Sequence, residues 1–188
     1  MRVNVLHPIY LTDQHLVAEY REVKMGSKAL SRSLGSLKGV DKKRISPLYT
    51  LNTGHTYFFY DKNAFLERRL GQIVEEMKNR GFQTNHIELI DDSYDYNMRV
   101  WDDEWWNDWQ PTEEALAINM ERIVYRLSTK EGWYKFWGRP VCTMDDLIST
   151  RVKNSFIECP NCKAIVEDSI CWNCCKVIPT DIKENSYF

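Results

Sequence analysis

The sequence predicts a mainly α-helical, compact single domain followed by a small zinc-ribbon-like C-terminal module. Two observations carry this prediction. Apolar residues recur at three- and four-residue steps in three separate segments, which is typical of amphipathic helices. Near the C-terminal end, two Cys-x-x-Cys pairs follow each other with eight residues between them. The predicted boundaries are 1–141 for the main domain, 142–157 for a linker and 158–188 for the cysteine-rich module.

The first predicted helix begins near Thr12, which is a suitable N-cap residue. Gly26 and Gly35 weaken this helix and can bend or end it. Its apolar stripe comprises Leu16, Tyr20, Val23, Leu30, Leu34 and Leu37.

Two further helices are predicted, one after Asp61 with a stop at Gly81 and one from Thr112. The inward face of the second helix comprises Phe65, Leu66, Leu70, Ile73, Val74 and Met77. The inward face of the third comprises Leu116, Met120, Ile123, Val124 and Leu127. The three stripes together predict a helical core.

Two segments between the helices are rich in aromatic residues. The run HTYFFY at 55–60 is predicted to be buried, and its periodicity does not distinguish a short strand from a helix. Residues 91–109 are acidic and hold four of the seven tryptophans. They are interpreted as a loop whose aromatic side chains pack on the domain.

Composition and charge restrict the class of protein. With 43% hydrophobic and 28% charged residues, the 188-residue chain is typical of a folded protein and not of a collagen or a disordered segment. No apolar run approaches the roughly 20 residues of a membrane span, and the N-terminal residues do not resemble a secretory signal. We therefore expect a cytoplasmic protein that does not engage membranes, in a compartment where cysteines stay reduced.

The net charge of −2 conceals a strong asymmetry along the chain. Residues 1–90 carry 14 Lys and Arg against 9 Asp and Glu, whereas residues 91–120 carry 1 against 9. Residues 121–141 are basic again, with 5 against 2. Because binding to a polyanion follows the local potential, a basic body of this kind remains compatible with nucleic-acid binding.

The cysteine pairs predict a structural metal site. Two Cys-x-x-Cys pairs supply four thiolates, the set that suits tetrahedral Zn²⁺. The predicted ligands are Cys159, Cys162, Cys171 and Cys174. The alternative is a redox or disulfide pair, which a reducing compartment disfavours. The module offers a surface for a protein partner or for DNA, and the sequence does not distinguish the two.

Several motifs occur in a fixed order along the main domain. They are RVN at residues 2–4, TDQHL at 12–16, AEYRE at 18–22, ISP at 45–47, GH at 54–55, FFYDK at 58–62, RGF at 80–82 and WYKFWG at 133–138. In this order and spacing, the first 141 residues resemble the pyrimidine-dimer DNA glycosylases of the phage endonuclease V family. The resemblance implies a compact three-helix glycosylase fold, a monomer, and a bacterial or phage-infected cell as its setting.

The resemblance also implies an activity. Members of that family excise a base from a cyclobutane pyrimidine dimer in duplex DNA and then nick the strand by β-elimination. Their nucleophile is the N-terminal α-amine, which forms an imine without any cofactor. The corresponding amine here is that of Met1, because initiator Met is retained before a residue as large as Arg2. The positive charges of Arg2 and Arg21 are expected to lower the pKa of this amine.

The resemblance assigns roles to further residues. Glu22 corresponds to the catalytic glutamate and shares a helix face with His15, seven residues earlier. Residues expected to contact DNA are Arg2, Gln14, His15, Arg21, Arg122, Arg126 and Lys135. Met25 stands where the family has another phosphate-binding arginine. Without the motifs, Glu22, Arg21, Arg122 and Arg126 would be interpreted as solvated helix residues. His15 would be interpreted as a cap or as a satisfied buried polar group, and WYKFWG as core.

Two alternatives remain open from the sequence. The same amine chemistry could act on another damaged or modified base, since the acidic segment and the cysteine-rich module could alter substrate choice. The chain could instead be a catalytically silent DNA-binding adaptor that recruits a partner through its cysteine-rich module. The presence of Glu22 and the position of Met1 argue against the silent adaptor.

Overall fold

A computed structural model describes residues 2–52, 54–85, 88–90 and 97–147, together with the backbone of four short strands between residues 157 and 177. The chain divides into two compact units, Met1–Cys142 and Thr143–Phe188. The first unit is mainly helical, as predicted. Among the described residues, no helix is both long enough and apolar enough to cross a membrane.

The first predicted helix is two helices, α1 (Asp13–Glu22) and α2 (Met25–Leu34), so a single continuous helix is wrong. The break lies just before Gly26, and α2 ends at Gly35, the two positions expected to bend or end the helix. The hydroxyl of Thr12 caps α1 by accepting a hydrogen bond from the backbone N–H of His15. The apolar stripe continues across the break, because Val23 and Leu30 are both fully buried. Leu37 lies beyond the end of α2 and is fully exposed, which corrects its assignment to the core.

The aromatic run at 55–60 forms a single-turn helix, α3 (His55–Phe58), rather than a strand. It is followed by α4 (Asn63–Asn79), and every predicted inward residue of α4 is buried. The predicted stop at Gly81 is also confirmed, since this residue has a φ of +79°, where glycine carries no side-chain penalty. The aromatic residues of α3 and the apolar face of α4 therefore share one core.

Helix α5 (Glu113–Thr129) begins at the predicted cap, where the Thr112 hydroxyl accepts from the backbone N–H of Ala115. Its buried residues recur at every fourth position and form one row along the helix: Ala115, Asn119, Ile123 and Leu127. Val124, predicted to face inward, is 45% exposed because it lies beside this row rather than on it. The buried row includes one polar residue, Asn119, whose amide is used by the N-terminal segment.

The acidic, Trp-rich segment packs on the domain where it is described, from Asn97 to Trp109. It contains two 3-10 turns, Met98–Trp101 and Asp103–Trp105. The Trp105 side chain is buried and that of Trp109 stacks on Tyr49, with 5.9 Å between ring centroids. Trp101 is half-exposed and stacks on Trp106. The expected packing is thus confirmed for the described part, whereas residues 91–96 lie outside the described residues.

A tight hairpin follows α5. Strand β1 (Lys135–Phe136) pairs antiparallel with β2 (Arg139–Pro140), with Phe136 opposite Arg139. The two connecting residues, Trp137 and Gly138, both have positive φ values of 51° and 73°, as a type I′ turn requires. The carboxylate of Asp13 accepts the backbone N–H groups of both turn residues, at 3.2 and 2.8 Å. Helix α1 therefore fixes the tip of the hairpin.

The second unit contains two short antiparallel hairpins. Strand β3 (Ile157–Glu158) pairs with β4 (Ile165–Val166), and β5 (Ile170–Cys171) pairs with β6 (Lys176–Val177). The first Cys-x-x-Cys pair falls in the sequence between β3 and β4. The second begins at the last residue of β5 and precedes β6.

Candidate active site

The N-terminal segment lies extended inside the helical unit and is held by side chains rather than by a sheet. Val3 and Val5 are buried in the core. Four consecutive backbone N–H groups, those of residues 3–6, each donate to a side chain of another element. The acceptors are Nε2 of His55, Oε1 of Glu19 and, for the last two groups, Oδ1 of Asn119. Residues 3–6 are therefore anchored by α1, α3 and α5 together.

A buried ion pair lies at the centre of this arrangement. The guanidinium of Arg69 donates from Nε to Oε1 of Glu19 at 2.8 Å and from its Nη2 to Oε2 at 3.0 Å. Both side chains are almost completely buried. The same carboxylate accepts from the backbone and the side-chain amide of Asn4, at 3.0 and 2.7 Å. Every carboxylate oxygen is thus satisfied, as a buried charge requires.

His55 is a neutral, fully engaged histidine. Its Nδ1 lies 2.6 Å from the carbonyl oxygen of Thr50, which can only accept, so Nδ1 carries the proton and Nε2 is free to accept from Val3. Burial is the main cause that lowers the pKa of this imidazole to about 4, opposed by the contact with Thr50 and assisted by the charge of Arg122. At neutral pH the ring therefore remains an acceptor for the N-terminal segment.

Glu22, the predicted catalytic glutamate, lies at the C-terminal end of α1 beside the N-terminal segment. Its Oε1 is 3.7 Å from Nε of Arg2. Arg2 is exposed, whereas the Glu22 carboxylate is about four-fifths shielded from solvent. Met1 lies outside the described residues. The structure thus places the Glu22 carboxylate beside Arg2, the first described residue of the N-terminal segment.

His15 lies between α1 and the hairpin, with three arginines around it. Its ring stacks on Tyr134, with centroids 4.6 Å apart, and its Nδ1 hydrogen-bonds the Thr12 hydroxyl at 2.8 Å. Burial chiefly, and then the charges of Arg122, Arg2 and Arg126, lower the pKa of His15 to about 4. The histidine is therefore neutral at neutral pH. The three arginines that act on it come from both the N-terminal segment and α5.

The predicted DNA-contacting cations lie at the edges of this site. Arg122 is half-buried and Arg126 is exposed, one turn apart on α5. Burial and the charges of Arg2 and Arg126 lower the pKa of Arg122, although an arginine stays protonated at neutral pH. On the other side of α1, Arg21 and Lys135 line a groove of about 700 Å³. The groove also includes Gln14, Phe82 and Trp137.

Gln14 connects α1 to the hairpin. Its Nε2 donates to the carbonyl oxygen of Trp133 at 2.7 Å, and its Oε1 accepts from the backbone N–H of Lys135 at 2.8 Å. In this structure the amide thus positions the hairpin. The segment WYKFWG contains both core and surface residues: Tyr134 and Phe136 are buried, while Lys135 and the two tryptophans are exposed.

The buried polar residues around the N-terminus were not identified as site residues from the sequence. They are Asn4, Glu19, Tyr49, His55, Arg69 and Asn119. One sequence feature could have identified such a residue: a polar side chain on an otherwise apolar helix face. Asn119 is an example, because it lies among the buried residues of α5. These residues hold the N-terminal segment and have no direct place in the predicted chemistry.

Within the described residues, no group of three or more His, Cys, Asp and Glu side chains is arranged to hold a metal ion. Three of the predicted zinc ligands, Cys159, Cys162 and Cys174, lie outside the described residues. Cys171 is described only as part of strand β5.

One comparison with known proteins bears on this site. Residues 1–88, just under half of the chain, match a family model described as pyrimidine dimer DNA glycosylase. The matched part contains Arg2, His15, Glu22 and the buried polar residues of α1, α3 and α4, whereas Arg122, Arg126 and Lys135 lie beyond it. The match shows that residues 1–88 are similar to pyrimidine dimer DNA glycosylases, and it supports the interpretation of the site as that of a DNA-repair glycosylase.

Proposed function

We propose that this protein is a bifunctional DNA glycosylase and abasic-site lyase that acts on cyclobutane pyrimidine dimers in duplex DNA. The observation that carries the proposal is the position of Glu22 beside Arg2, with the N–H groups of the following four residues hydrogen-bonded to buried side chains. A carboxylate close to the start of a well-anchored N-terminal segment is what catalysis by the N-terminal amine requires. The family match over residues 1–88 supports the same reaction class.

The α-amine of Met1 is the proposed nucleophile. An α-amine titrates at about 7.7–8.0 when unperturbed, so a useful fraction is neutral at physiological pH. Its nitrogen attacks C1′ of the damaged nucleotide, and the glycosidic bond breaks with its electron pair going to the base, which is protonated. The nitrogen then loses a proton and its lone pair forms the C1′=N bond, while the C1′–O4′ pair goes to O4′, which takes up a proton and becomes a hydroxyl; the product is a protonated imine. Loss of a C2′ proton leads to β-elimination, in which the C3′–O3′ bond breaks and the 3′ phosphate leaves.

Glu22 is the proposed acid–base group for these steps. Its carboxylate is shielded from solvent and lies beside the Arg2 guanidinium, so it is suited to stabilise the cationic imine and to transfer protons to and from the sugar. His15 is neutral at neutral pH and stacked on Tyr134, which suits a hydrogen-bonding role towards DNA rather than a charge contact.

DNA is held, in this proposal, by the cations around the site. Arg2, Arg21, Arg122, Arg126 and Lys135 are the phosphate-binding candidates, with Gln14 supporting the hairpin that carries Lys135. Binding through phosphates is salt-sensitive, and a dimer lowers the cost of kinking and unstacking the duplex. Recognition would therefore depend on the shape and deformability of the lesion.

The test of this function is borohydride trapping, which reduces an imine to a stable covalent adduct. The wild-type protein is incubated with matched duplexes that contain a cyclobutane dimer, an abasic site or no lesion. We expect an adduct with the first two and none with the third. Peptide mapping should locate the adduct at Met1, and the intact mass should show an unmodified N-terminus.

Each outcome of this test separates the proposal from its alternatives. Trapping on the abasic duplex alone would favour the same amine chemistry on a different base. An absence of adduct on both lesions would favour a binding protein without catalysis. An adduct at a lysine, or an acetylated N-terminus, would contradict the assignment of the Met1 amine.

The cysteine-rich module is proposed to bind one structural Zn²⁺ through Cys159, Cys162, Cys171 and Cys174. The backbone of the described strands supports this proposal, because paired residues enclose the first cysteine pair and the second pair begins at a paired residue. Glu158 pairs with Ile165 across the first Cys-x-x-Cys, and Cys171 pairs with Lys176 across the second. Four thiolates close a tetrahedral site, so the metal would stabilise the small module rather than take part in base excision.

Freshly purified protein is accordingly expected to contain one zinc per chain. Elemental analysis measures the metal directly, and Cys162→Ser should reduce the content by more than half because a closed four-ligand site loses one thiolate. Cys142→Ser, which changes a cysteine outside the two pairs, is the matched control. A zinc-free wild-type protein would refute the metal site without affecting the proposed glycosylase activity.

A further inference from the structure

We infer that His55 is a positioning residue for the N-terminal amine, acting through its hydrogen bond to the backbone of Val3. The inference rests on the proposed function, since it concerns how the amine is held for attack. Val3 is the residue nearest to the N-terminus whose backbone N–H has an acceptor among the described residues, at 3.1 Å from Nε2 of His55.

The N-terminal segment lacks the ladder of hydrogen bonds that a strand or helix would give it. Its N–H groups at residues 3–6 depend instead on three side chains, those of His55, Glu19 and Asn119, at 3.0 to 3.2 Å. On its other side, the Val3 carbonyl accepts from the Tyr49 hydroxyl at 3.0 Å. Residues 3–6 are thus each held through the backbone N–H, and Val3 is held at both its N–H and its carbonyl.

The His55 ring is itself held in one orientation. Its Nδ1–H donates to the Thr50 carbonyl at 2.6 Å, and its edges meet the rings of Tyr49 and Phe59, with centroids 5.5 and 5.2 Å away. The side chain is only 3% exposed. Because both nitrogens are engaged and the ring is enclosed by aromatic neighbours, Nε2 is a fixed point for the backbone of residue 3.

This arrangement predicts a specific effect on the reaction. A displacement of the attacking group by about 1 Å can cost on the order of 100-fold in rate. The cations proposed to hold DNA belong to residue 2, α1, α5 and β1 rather than to α3, so loss of the His55 bond should disturb the amine more than the affinity for DNA. His55 is therefore expected to affect the rate of imine formation and to leave duplex binding largely unchanged.

The experiment compares His55→Leu with His55→Gln. Leucine removes the acceptor, whereas the glutamine amide oxygen reaches about as far as Nε2 and can still accept from Val3. Single-turnover borohydride trapping on an abasic duplex gives the rate of imine formation. Affinity is measured on a duplex with a tetrahydrofuran abasic analogue, which cannot form an imine. Thermal melting of each variant reports on folding.

We expect the rate of trapping by His55→Leu to fall roughly 100-fold, while its duplex affinity stays within about twofold of wild type. His55→Gln should recover at least a third of that loss on a logarithmic scale.

Tyr49→Phe removes only the hydroxyl bond to the Val3 carbonyl and should lower the rate of trapping by about threefold to tenfold. This variant keeps the test valid if His55→Leu does not fold. Tyr57→Phe is its control, because that hydroxyl donates to Asp41, away from the N-terminus.

Two results would overturn the inference while the proposed function survives. One is a rate of trapping by His55→Leu and by Tyr49→Phe that equals the wild-type rate. The other is an equal loss in His55→Leu and His55→Gln that follows their melting temperatures, which would indicate a structural role alone. A wild-type protein that traps no abasic DNA would instead overturn the proposed function, and the inference with it.

Discussion

Replacing Glu22 by Gln is expected to abolish strand cleavage at a cyclobutane dimer while lesion binding is retained. General acid–base groups contribute about 10²- to 10⁴-fold to rates, and Gln keeps the shape of the side chain but neither its charge nor its ability to take up a proton. The Glu22 carboxylate lies 3.7 Å from Arg2, next to the residue that carries the proposed nucleophile. The loss should therefore appear in the chemical step.

The measurement is single-turnover cleavage of a duplex with one dimer, together with the affinity for that duplex under the same salt conditions. Glu75→Gln makes the same change at an exposed position on α4 and is expected to leave the rate unchanged. If Glu22→Gln cleaved within about threefold of wild type, the role assigned to this carboxylate would be wrong. A parallel loss of affinity and cleavage would instead indicate a role in binding.

The helices could be predicted where one apolar face packs against one core. In α4, the three- and four-residue steps from Phe65 to Met77 match burial at every predicted position. Gly26 indicated a weak point near the break between α1 and α2, but periodicity could not locate the break, because the apolar stripe continues through it and Val23 and Lys24 both keep helical backbone angles. Periodicity measures which residues face the core, and that property does not change at such a break.

The buried polar cluster shows a second limit. Glu19 and Arg69 are 50 positions apart, and each can be buried only because the other is present. Sequence spacing identifies neighbours on one helix, but it does not identify a pair formed between α1 and α4. The motifs indicated Glu22 and Arg2 through resemblance, whereas the support for the N-terminus at Glu19, His55 and Asn119 became apparent only from their contacts.

Arg69→Met is expected to lower the free energy of unfolding by about 3–5 kcal/mol, because it leaves the Glu19 carboxylate buried without its cation. This is a large part of the 5–15 kcal/mol that is typical of a folded domain. Urea unfolding followed by tryptophan fluorescence suits the measurement, since six of the seven tryptophans lie between residues 101 and 137. The change should appear as a lower midpoint with a similar slope.

The adjacent arginine provides the control. Arg68 also pairs with a carboxylate, that of Asp108 at 2.8 Å, but both side chains are substantially exposed. Surface pairs contribute about 0–1 kcal/mol, so Arg68→Met should change stability only slightly. The double variant Glu19→Gln, Arg69→Met removes the uncompensated charge and should recover part of the loss. Equal changes in the free energy of unfolding for the two single arginine variants would show that the Glu19–Arg69 pair does not anchor the N-terminal segment. The proposed placement of the amine would then not depend on that pair.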